Sequence, residues 1–159
     1  MTQLSSGEMV RMYGVKSLLD SEGNPLQHWY AYYRDNEIVS YKVRKVEDKD
    51  FRWVHLKDAD NKKLFGQQLL QGGGPLLTIT EGECDAMAIY QMQGSKYAAV
   101  SVNNGVQSLN EIKANLEFIE SFKQVFICYD NEPKAKEAAR NVADLIPGKA
   151  KIVILPDGY

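Results

Sequence analysis

The sequence predicts an α/β protein in which a parallel four-stranded sheet, with helices on both faces, follows a small antiparallel β-rich unit. From residue 76 onward, short apolar segments alternate with amphipathic ones, as strands alternate with helices in a parallel sheet. Before residue 72, aromatic and β-branched segments are joined by short polar turns, which indicates antiparallel strands. The run Gly-Gly-Gly-Pro at 72–75 separates the two patterns. We therefore predict two domains, residues 1–75 and residues 76–159.

Each element of the second half follows from its own pattern. LLTIT is a strand of the fully buried type, and Leu109, Ile112 and Leu116 recur at helical spacing. Ligands bind to parallel sheets at the carboxyl ends of their strands, so those ends are where a site is expected. The predicted strands span 76–80, 97–102, 124–130 and 150–155, and the predicted helices span 83–93, 109–119 and 133–145.

Three segments of the first half have the composition of strands. Residues 28–34 and 37–45 are rich in aromatic and β-branched residues and flank a polar turn at Asp35 and Asn36. Residues 51–56 form the third expected strand of the same sheet.

Composition narrows the class of protein. No segment approaches the roughly 18 apolar residues of a membrane span, and the N-terminus lacks the apolar core of a signal peptide. The two cysteines, Cys84 and Cys128, lie far apart in apolar surroundings, and the two histidines are not in ligand-type spacing, which argues against a zinc site. We therefore expect a cytoplasmic protein that is not secreted and does not bind a membrane.

Acidic residues follow two of the predicted strands. Glu81 and Asp85 come after the first strand of the parallel sheet, and Asp130 and Glu132 come at the end of the third. Parallel strands would bring these carboxylates to one edge, where their repulsion raises their pKa values unless a cation lies among them. Mg²⁺ takes hard oxygen ligands of this kind. For Asp85, or for Glu83, a plain role at the helix start as a cap or dipole partner is the alternative.

The order of these elements resembles a known family. The segment LTITEGECDAMAIYQM, followed by DNE after the third strand, is similar to the Toprim domain of DnaG-type primases, topoisomerases of types IA and II and some nucleases. With YAYYRDNEIVSYKVRK before it, the chain is more similar to the primase–helicases of short-tailed bacteriophages and their mitochondrial Twinkle-like helicase relatives. The resemblance covers roughly residues 28–156.

The resemblance implies a nucleotidyltransferase that makes short RNA primers from NTPs on a single-stranded DNA template during replication. It implies that Glu81 is a catalytic general acid/base or a carboxylate near the metal, and that Asp85 supports the site. It also implies that Asp130 and Glu132, together with Glu81, hold Mg²⁺ or Mn²⁺, with two ions bound. The reaction would then depend on positioning and on charge neutralisation by the ions.

Two further groups are candidates for contacts with nucleotide or nucleic acid. Lys42, Arg44, Arg52 and Lys57 lie in the basic stretch of the first half, where phosphate contacts or a solvated sheet edge are the two interpretations. The run 103–105, Asn103-Asn104-Gly105, follows the second parallel strand and could offer backbone N–H groups to a phosphate or form an ordinary turn.

The sequence departs from the family pattern at two points. Glu132 stands where an Asp is more common in the family, and the chain ends where relatives continue into a further acidic element. We therefore expect a piece of a longer protein, with a fused or associated zinc-binding domain and helicase. A catalytically decayed module that binds nucleic acid, or a fragment of a Toprim nuclease or topoisomerase, are the alternatives. Tyr159 lacks the context of a topoisomerase nucleophile.

Overall fold

Two four-stranded sheets make up the framework of the chain. The structure is a computed structural model that describes residues 6–48, 50–57, 63–105 and 108–156. Tyr159 lies outside these described residues. Within them, no helix has the length and apolar character that crossing a membrane requires.

The first sheet is antiparallel and has the order β1-β2-β3-β4. The β2–β3 turn places Asp35 and Asn36 at φ values of 48° and 66°, in the left-handed region that short hairpin turns require and that Asp and Asn tolerate. Helix α1 and strand β1 precede the three predicted strands and were not predicted. The elements are α1 (Ser6–Met12), β1 (Lys16–Leu19), β2 (Pro25–Arg34), β3 (Glu37–Lys45) and β4 (Phe51–His55).

The second sheet is parallel throughout and has the order β6-β5-β7-β8. This confirms the predicted parallel sheet, with β5 and β7 as its central strands. A short 3₁₀ helix (Gln67–Leu69) leads into it. Its strands are β5 (Gly74–Thr80), β6 (Ala98–Ser101), β7 (Phe122–Cys128) and β8 (Ala150–Ile152), and its helices are α2 (Glu83–Met92), α3 (Leu109–Ala114), α4 (Leu116–Glu120) and α5 (Pro133–Asp144).

The single helix predicted over 109–119 is wrong, because the chain forms two short helices there. Asn115 ends α3 and precedes α4, with φ at −115°. Its side-chain amide donates a hydrogen bond to the carbonyl of Glu111 at 2.9 Å. Asparagine favours such local hydrogen bonds over a place in the helix interior. The helix is therefore interrupted at Asn115, although the apolar residues keep their helical spacing on both sides of it.

Helices cover both faces of the parallel sheet. Leu77 and Ile79 of β5 are fully buried in a core that includes Ala135 and Val142 of α5. Alternate residues of a strand point to opposite faces, and Ala99 of β6 accordingly packs with α2 in a second core.

That second core joins the two sheets. Phe65 is fully buried, exchanges backbone hydrogen bonds with Ser101 of β6 at 3.0 and 3.1 Å, and contacts the rings of Tyr30 and Tyr32, each at 5.8 Å. The Tyr13 hydroxyl donates to the carbonyl of Ala99 at 2.9 Å. The antiparallel sheet is thereby packed beside α2 and β6, which places β3 close to the edge where the acidic residues lie.

Candidate active site

The two central strands of the parallel sheet end at the same edge. Thr80, the last residue of β5, pairs with Cys128, the last residue of β7. Glu81 follows the first strand directly, and Asp130 follows the second after one intervening residue. We call this edge the acidic rim, defined by Glu81, Asp85, Asp130 and Glu132.

Glu81 has the most unusual environment at the acidic rim. Its Oε2 atom is buried and has no hydrogen-bond partner among the described residues. Burial raises the pKa of its carboxyl group above the ordinary value, and the negative charges of Asp130, Glu132 and Asp85 add to the increase. A backbone hydrogen bond from Asp130 opposes the shift in part. A buried, partnerless carboxylate oxygen among like charges favours a cation.

Asp85 has two roles in the geometry. Helix α2 starts after Gly82, and a backbone hydrogen bond from Gly82 to the Asp85 carboxylate ties the helix start together. A Cβ atom at Gly82 would lie 2.5 Å from Oδ2 of Asp85, so only glycine leaves room for this arrangement. Burial raises the pKa of Asp85, followed by the charges of Asp130 and Glu83. The side chain therefore caps the helix and also belongs electrostatically to the acidic rim.

The other two carboxylates lie at the start of α5. Asp130 and Glu132 are exposed, and Glu132 is the residue before the helix, with no side-chain capping bond. Between them, the amide of Asn131 donates to the carbonyl of Leu155 at 3.1 Å, which ties the end of β7 to the segment after β8. Both carboxylates are thus presented to solvent at a fixed turn.

The acidic rim has the type of ligand atoms that a metal ion needs, but its side chains are not already arranged around one point. Within residues 6–48, 50–57, 63–105 and 108–156, no three His, Cys, Asp or Glu side chains converge as a ready metal cluster. The donor set consists of carboxylate oxygens, which Mg²⁺ and Mn²⁺ accept. The partnerless Oε2 of Glu81 supplies an unused ligand atom. The residues fit an ion that completes its shell with water and substrate oxygens.

A buried ion pair beside the acidic rim was missed by sequence analysis. Oε1 of Glu83 lies 2.9 Å from Nζ of Lys42 and accepts a hydrogen bond from the Tyr32 hydroxyl at 2.5 Å. Only 6% of the Glu83 side chain and 13% of the Lys42 side chain are exposed. Burial raises the pKa of Tyr32 well above its ordinary value, which keeps its hydroxyl a donor. Lys42 and Glu83 are 41 positions apart, and no local sequence pattern links them. The pair can therefore be recognised only from the three-dimensional structure.

The run Asn103-Asn104-Gly105 lies at the acidic rim, as its place after β6 predicted. The Asn103 carbonyl accepts a hydrogen bond from Lys42 Nζ at 3.0 Å, and its N–H donates to Oε2 of Glu111 at 2.7 Å. That N–H is therefore occupied within the protein. Gly105 has a φ of 55°, and a Cβ there would lie 3.1 Å from Oε1 of Glu81.

The four basic candidates do not share one surface. Lys42 and Arg44 lie on the same face of β3, and the charge of Arg44 reaches Asp85. Arg52 pairs with Val43 and lies over the Trp29 ring at 5.4 Å, so it is on the opposite face of the sheet. Lys57 forms an ion pair with Glu37 beyond the end of β4. The structure thus brings Lys42 and Arg44 to the acidic rim and leaves Arg52 and Lys57 in other surroundings.

Three comparisons relate this chain to known proteins. A family model described as Toprim-like matches residues 78–159. The DNA helicase/primase of Enterobacteria phage T3 is 35% identical over 132 residues, covering 79% of this chain and 22% of that protein. The chain therefore spans about a fifth of that relative's length.

Two solved structures share the whole described fold. The primase fragment of the bacteriophage T7 primase-helicase matches with a TM-score of 0.83 and 28% identity, over 97% of this chain and 63% of that chain. A primase domain in a complex with the T7 lagging-strand DNA polymerase, an RNA/DNA hybrid and dTTP matches with a TM-score of 0.78 and 30% identity, over 97% and 77% of the two chains. Primase domains with a Toprim fold are generally metal-dependent.

The raised pKa of Glu81 makes stability depend on pH in a defined direction. The ordinary pKa of a glutamate, which applies to the unfolded chain, is 4.5. A carboxyl group whose pKa is raised in the folded state stabilises the fold below that value and loses this contribution as the pH rises through the folded pKa. Glu81→Gln should therefore melt at a higher temperature than the parent at neutral pH without divalent ions, and the difference should vanish toward pH 4.5. Circular dichroism melts across this range measure it. Glu137→Gln, which removes an exposed carboxylate outside the acidic rim, should show no such difference, and a lower melting temperature for Glu81→Gln would contradict the account.

Gly105 and Gly94 form a matched pair for testing the contact with Glu81. Both have positive φ, at 55° and 68°, but a Cβ at Gly94 meets no atom within 4 Å. Alanine at either position should cost about 1 kcal/mol or more in the free energy of unfolding, measured in urea. Only Gly105→Ala should also weaken Mg²⁺ binding, because its methyl group displaces the Glu81 carboxylate. Equal Mg²⁺ affinity in the two variants would show that Gly105 does not shape the site.

Proposed function

This chain belongs to the Toprim-like family, and from that premise we propose that it is the catalytic region of a DNA primase. The proposed activity is the joining of ribonucleotides into short RNA primers, directed by a single-stranded DNA template. The observation that carries the proposal is the buried, partnerless Oε2 of Glu81 at the edge where Asp130 and Glu132 also lie. The likeness to primase domains of phage T7 supports it.

The metal would bind at the acidic rim. Glu81, Asp130 and Glu132 would hold Mg²⁺ or Mn²⁺, with two ions bound, and Asp85 would support them. When bound, such ions neutralise the phosphates and polarise the reacting oxygens. Because burial and neighbouring charges raise its pKa, Glu81 also suits proton transfer near neutral pH better than an ordinary glutamate.

The residues beside the acidic rim would position the substrate. Lys42 holds its ammonium group at the end of β6 through Glu83 and the Asn103 carbonyl, where its charge offsets that of an approaching phosphate. Arg44 has a buried Nε without a partner among the described residues and would supply a second cation. We keep Arg52 and Lys57 as candidates for the template backbone on other surfaces, and Asn104 and Gly105 as rim residues that flank the nucleotide.

The context of the activity is also a proposal. Because the chain spans 22% of a phage helicase/primase, we propose that a helicase and a zinc-binding domain accompany it, and that it works on DNA in the cytoplasm of a phage-infected bacterial cell. We further propose that residues 1–75 and 76–159 form its two domains, packed together through Phe65. A DNA polymerase is a further expected partner, since a T7 primase domain is bound to one.

Two observations favour a second candidate function. No preformed three-residue metal cluster occurs in the described residues, and the exposed Glu132 carries a longer arm than the Asp of the family pattern. A non-catalytic module that binds nucleic acid would have these features. It differs from the primase in showing no saturable Mg²⁺ binding and no synthesis.

Replacing the Glu81 carboxylate with an amide tests the primase proposal. Glu81→Gln keeps the size of the side chain and removes its charge, so Mg²⁺-dependent synthesis of RNA primers from NTPs on single-stranded DNA should fall about 10²–10⁴-fold. The reaction is measured with the chain fused to its helicase partner and with the chain alone. Glu137→Gln should retain the parental rate. Parental activity in a Glu81→Gln variant that circular dichroism shows to be folded would remove Glu81 from the mechanism.

A further inference from the structure

A pocket lies between helix α5 and strand β8, beside the turn that carries Asp130. Its volume is about 360 Å³, within the range of about 300–1,000 Å³ typical of small-molecule sites. We call it the α5–β8 pocket. The residues that matter for its chemistry are Asp130, Lys136, Ala139, Arg140, Ile152 and Val153.

Two cations share the mouth of this pocket. Lys136 and Arg140 are four residues apart on α5, so they lie on one side of the helix. Both are exposed, and neither has an ion-pair partner in the part of the chain that the structure describes. By contrast, Lys42 and Lys57 each contact a glutamate. Two unpaired like charges at this spacing repel each other, and an anion between them relieves the repulsion.

The α5–β8 pocket also has an apolar wall, which is formed by one residue of α5 and by two residues at the end of β8. Ala139 is almost fully buried, and Ile152 and Val153 form the wall at the end of β8. A cationic mouth with an apolar wall matches a ligand that has a charged end and a flat apolar end. A nucleotide has this shape, with phosphates at one end and a base at the other. A nucleic-acid strand instead requires an open groove along its backbone.

We propose that the α5–β8 pocket is a nucleotide-binding site in which Lys136 and Arg140 hold the phosphates and the wall of Ala139, Ile152 and Val153 holds the base. Asp130 lines both the pocket and the acidic rim. A nucleotide in the pocket would therefore have its phosphates beside the rim carboxylates. The inference deepens the proposed function and rests on it for the identity of the ligand, since nucleoside triphosphates are the substrates of a primase.

The test is an NMR titration of the ¹⁵N-labelled chain with ATP in EDTA, so that no divalent ion bridges ATP to the acidic rim. Saturable shifts of the amides of Ala139, Ile152 and Val153 are expected. Lys136→Ala combined with Arg140→Ala should weaken ATP binding by about tenfold or more, because charged hydrogen bonds are lost. The spectra also show that the double variant remains folded.

A control variant distinguishes specific binding in the pocket from non-specific attraction of ATP to positive charge. Lys134 and Lys151 are exposed, do not line the pocket and have no ion-pair partner among the described residues. Their double alanine variant changes the net charge equally and should bind ATP like the parent. Equal weakening in the two double variants, or shifts that do not saturate, would overturn the proposal.

Two further ligands test the identity of the occupant. Inorganic triphosphate should bind more weakly than ATP, because it lacks the base, and equal affinity would overturn the role given to the apolar wall. A DNA oligonucleotide that displaces ATP more effectively than free nucleotide would assign the pocket to the strand instead. ATP binding in EDTA is measured without primer synthesis, whereas the primase proposal is tested by synthesis in Mg²⁺, so a failure of the pocket and a failure of the primase proposal give different results.

Discussion

Electrostatic repulsion among carboxylates at one edge of the parallel sheet is the constraint that organises this molecule. Adjacent parallel strands β5 and β7 end together, so Glu81 and Asp130 are forced to the same rim by the pairing of Thr80 with Cys128. Burial makes the repulsion costly at Glu81, whose pKa it raises. The fold stabilises this edge only in part, through a backbone hydrogen bond to each of Glu81 and Asp85 and through the nearby charge of Arg44 on Asp85. A cation at the rim would relieve the remainder.

The antiparallel sheet supplies positive charge to the same edge. Lys42 on β3 reaches the start of α2, where it forms an ion pair with the buried Glu83, whose carboxylate also accepts a hydrogen bond from the Tyr32 hydroxyl. Burying such a pair is expensive, and removing one partner typically costs about 3–5 kcal/mol because the other charge is left buried. The pair is therefore a poor source of net stability. Its effect is to fix one ammonium group beside the rim and to lock the relative placement of the two sheets together with Phe65.

Local patterns predicted most of the framework. The alternation after residue 76 predicted a parallel sheet, and the aromatic segment at 37–45 coincides with β3. The short α1 and β1 were missed, since their sequences have no clear period. The break at Asn115 was missed because the apolar spacing continues across it, whereas the side-chain hydrogen bond that ends α3 leaves no trace in hydrophobicity.

Sequence predicted only those residues of the candidate site whose position follows from the order of the parallel strands. Glu81, Asp85 and Asp130 share an environment because the carboxyl ends of parallel strands meet, which sequence spacing reveals. Which basic residues join them depends on strand pairing. The register that sets Val43 opposite Arg52 turns that arginine to the other face, while Lys42 faces Glu83. From the sequence, Glu83 is indistinguishable from an ordinary carboxylate at a helix start, because its partner Lys42 lies far away in the chain, on the antiparallel sheet.

The dependence of the acidic rim on a cation is tested most directly by titrating the unmodified chain with Mg²⁺ and following backbone amides by NMR, with calorimetry for the affinity. We expect saturable binding at millimolar concentration or below, with shifts centred on residues 81–85, 103–105 and 130–132, and with loss of binding in Glu81→Gln. Shifts that stay linear with Mg²⁺ concentration, or that lie away from the rim, would contradict it.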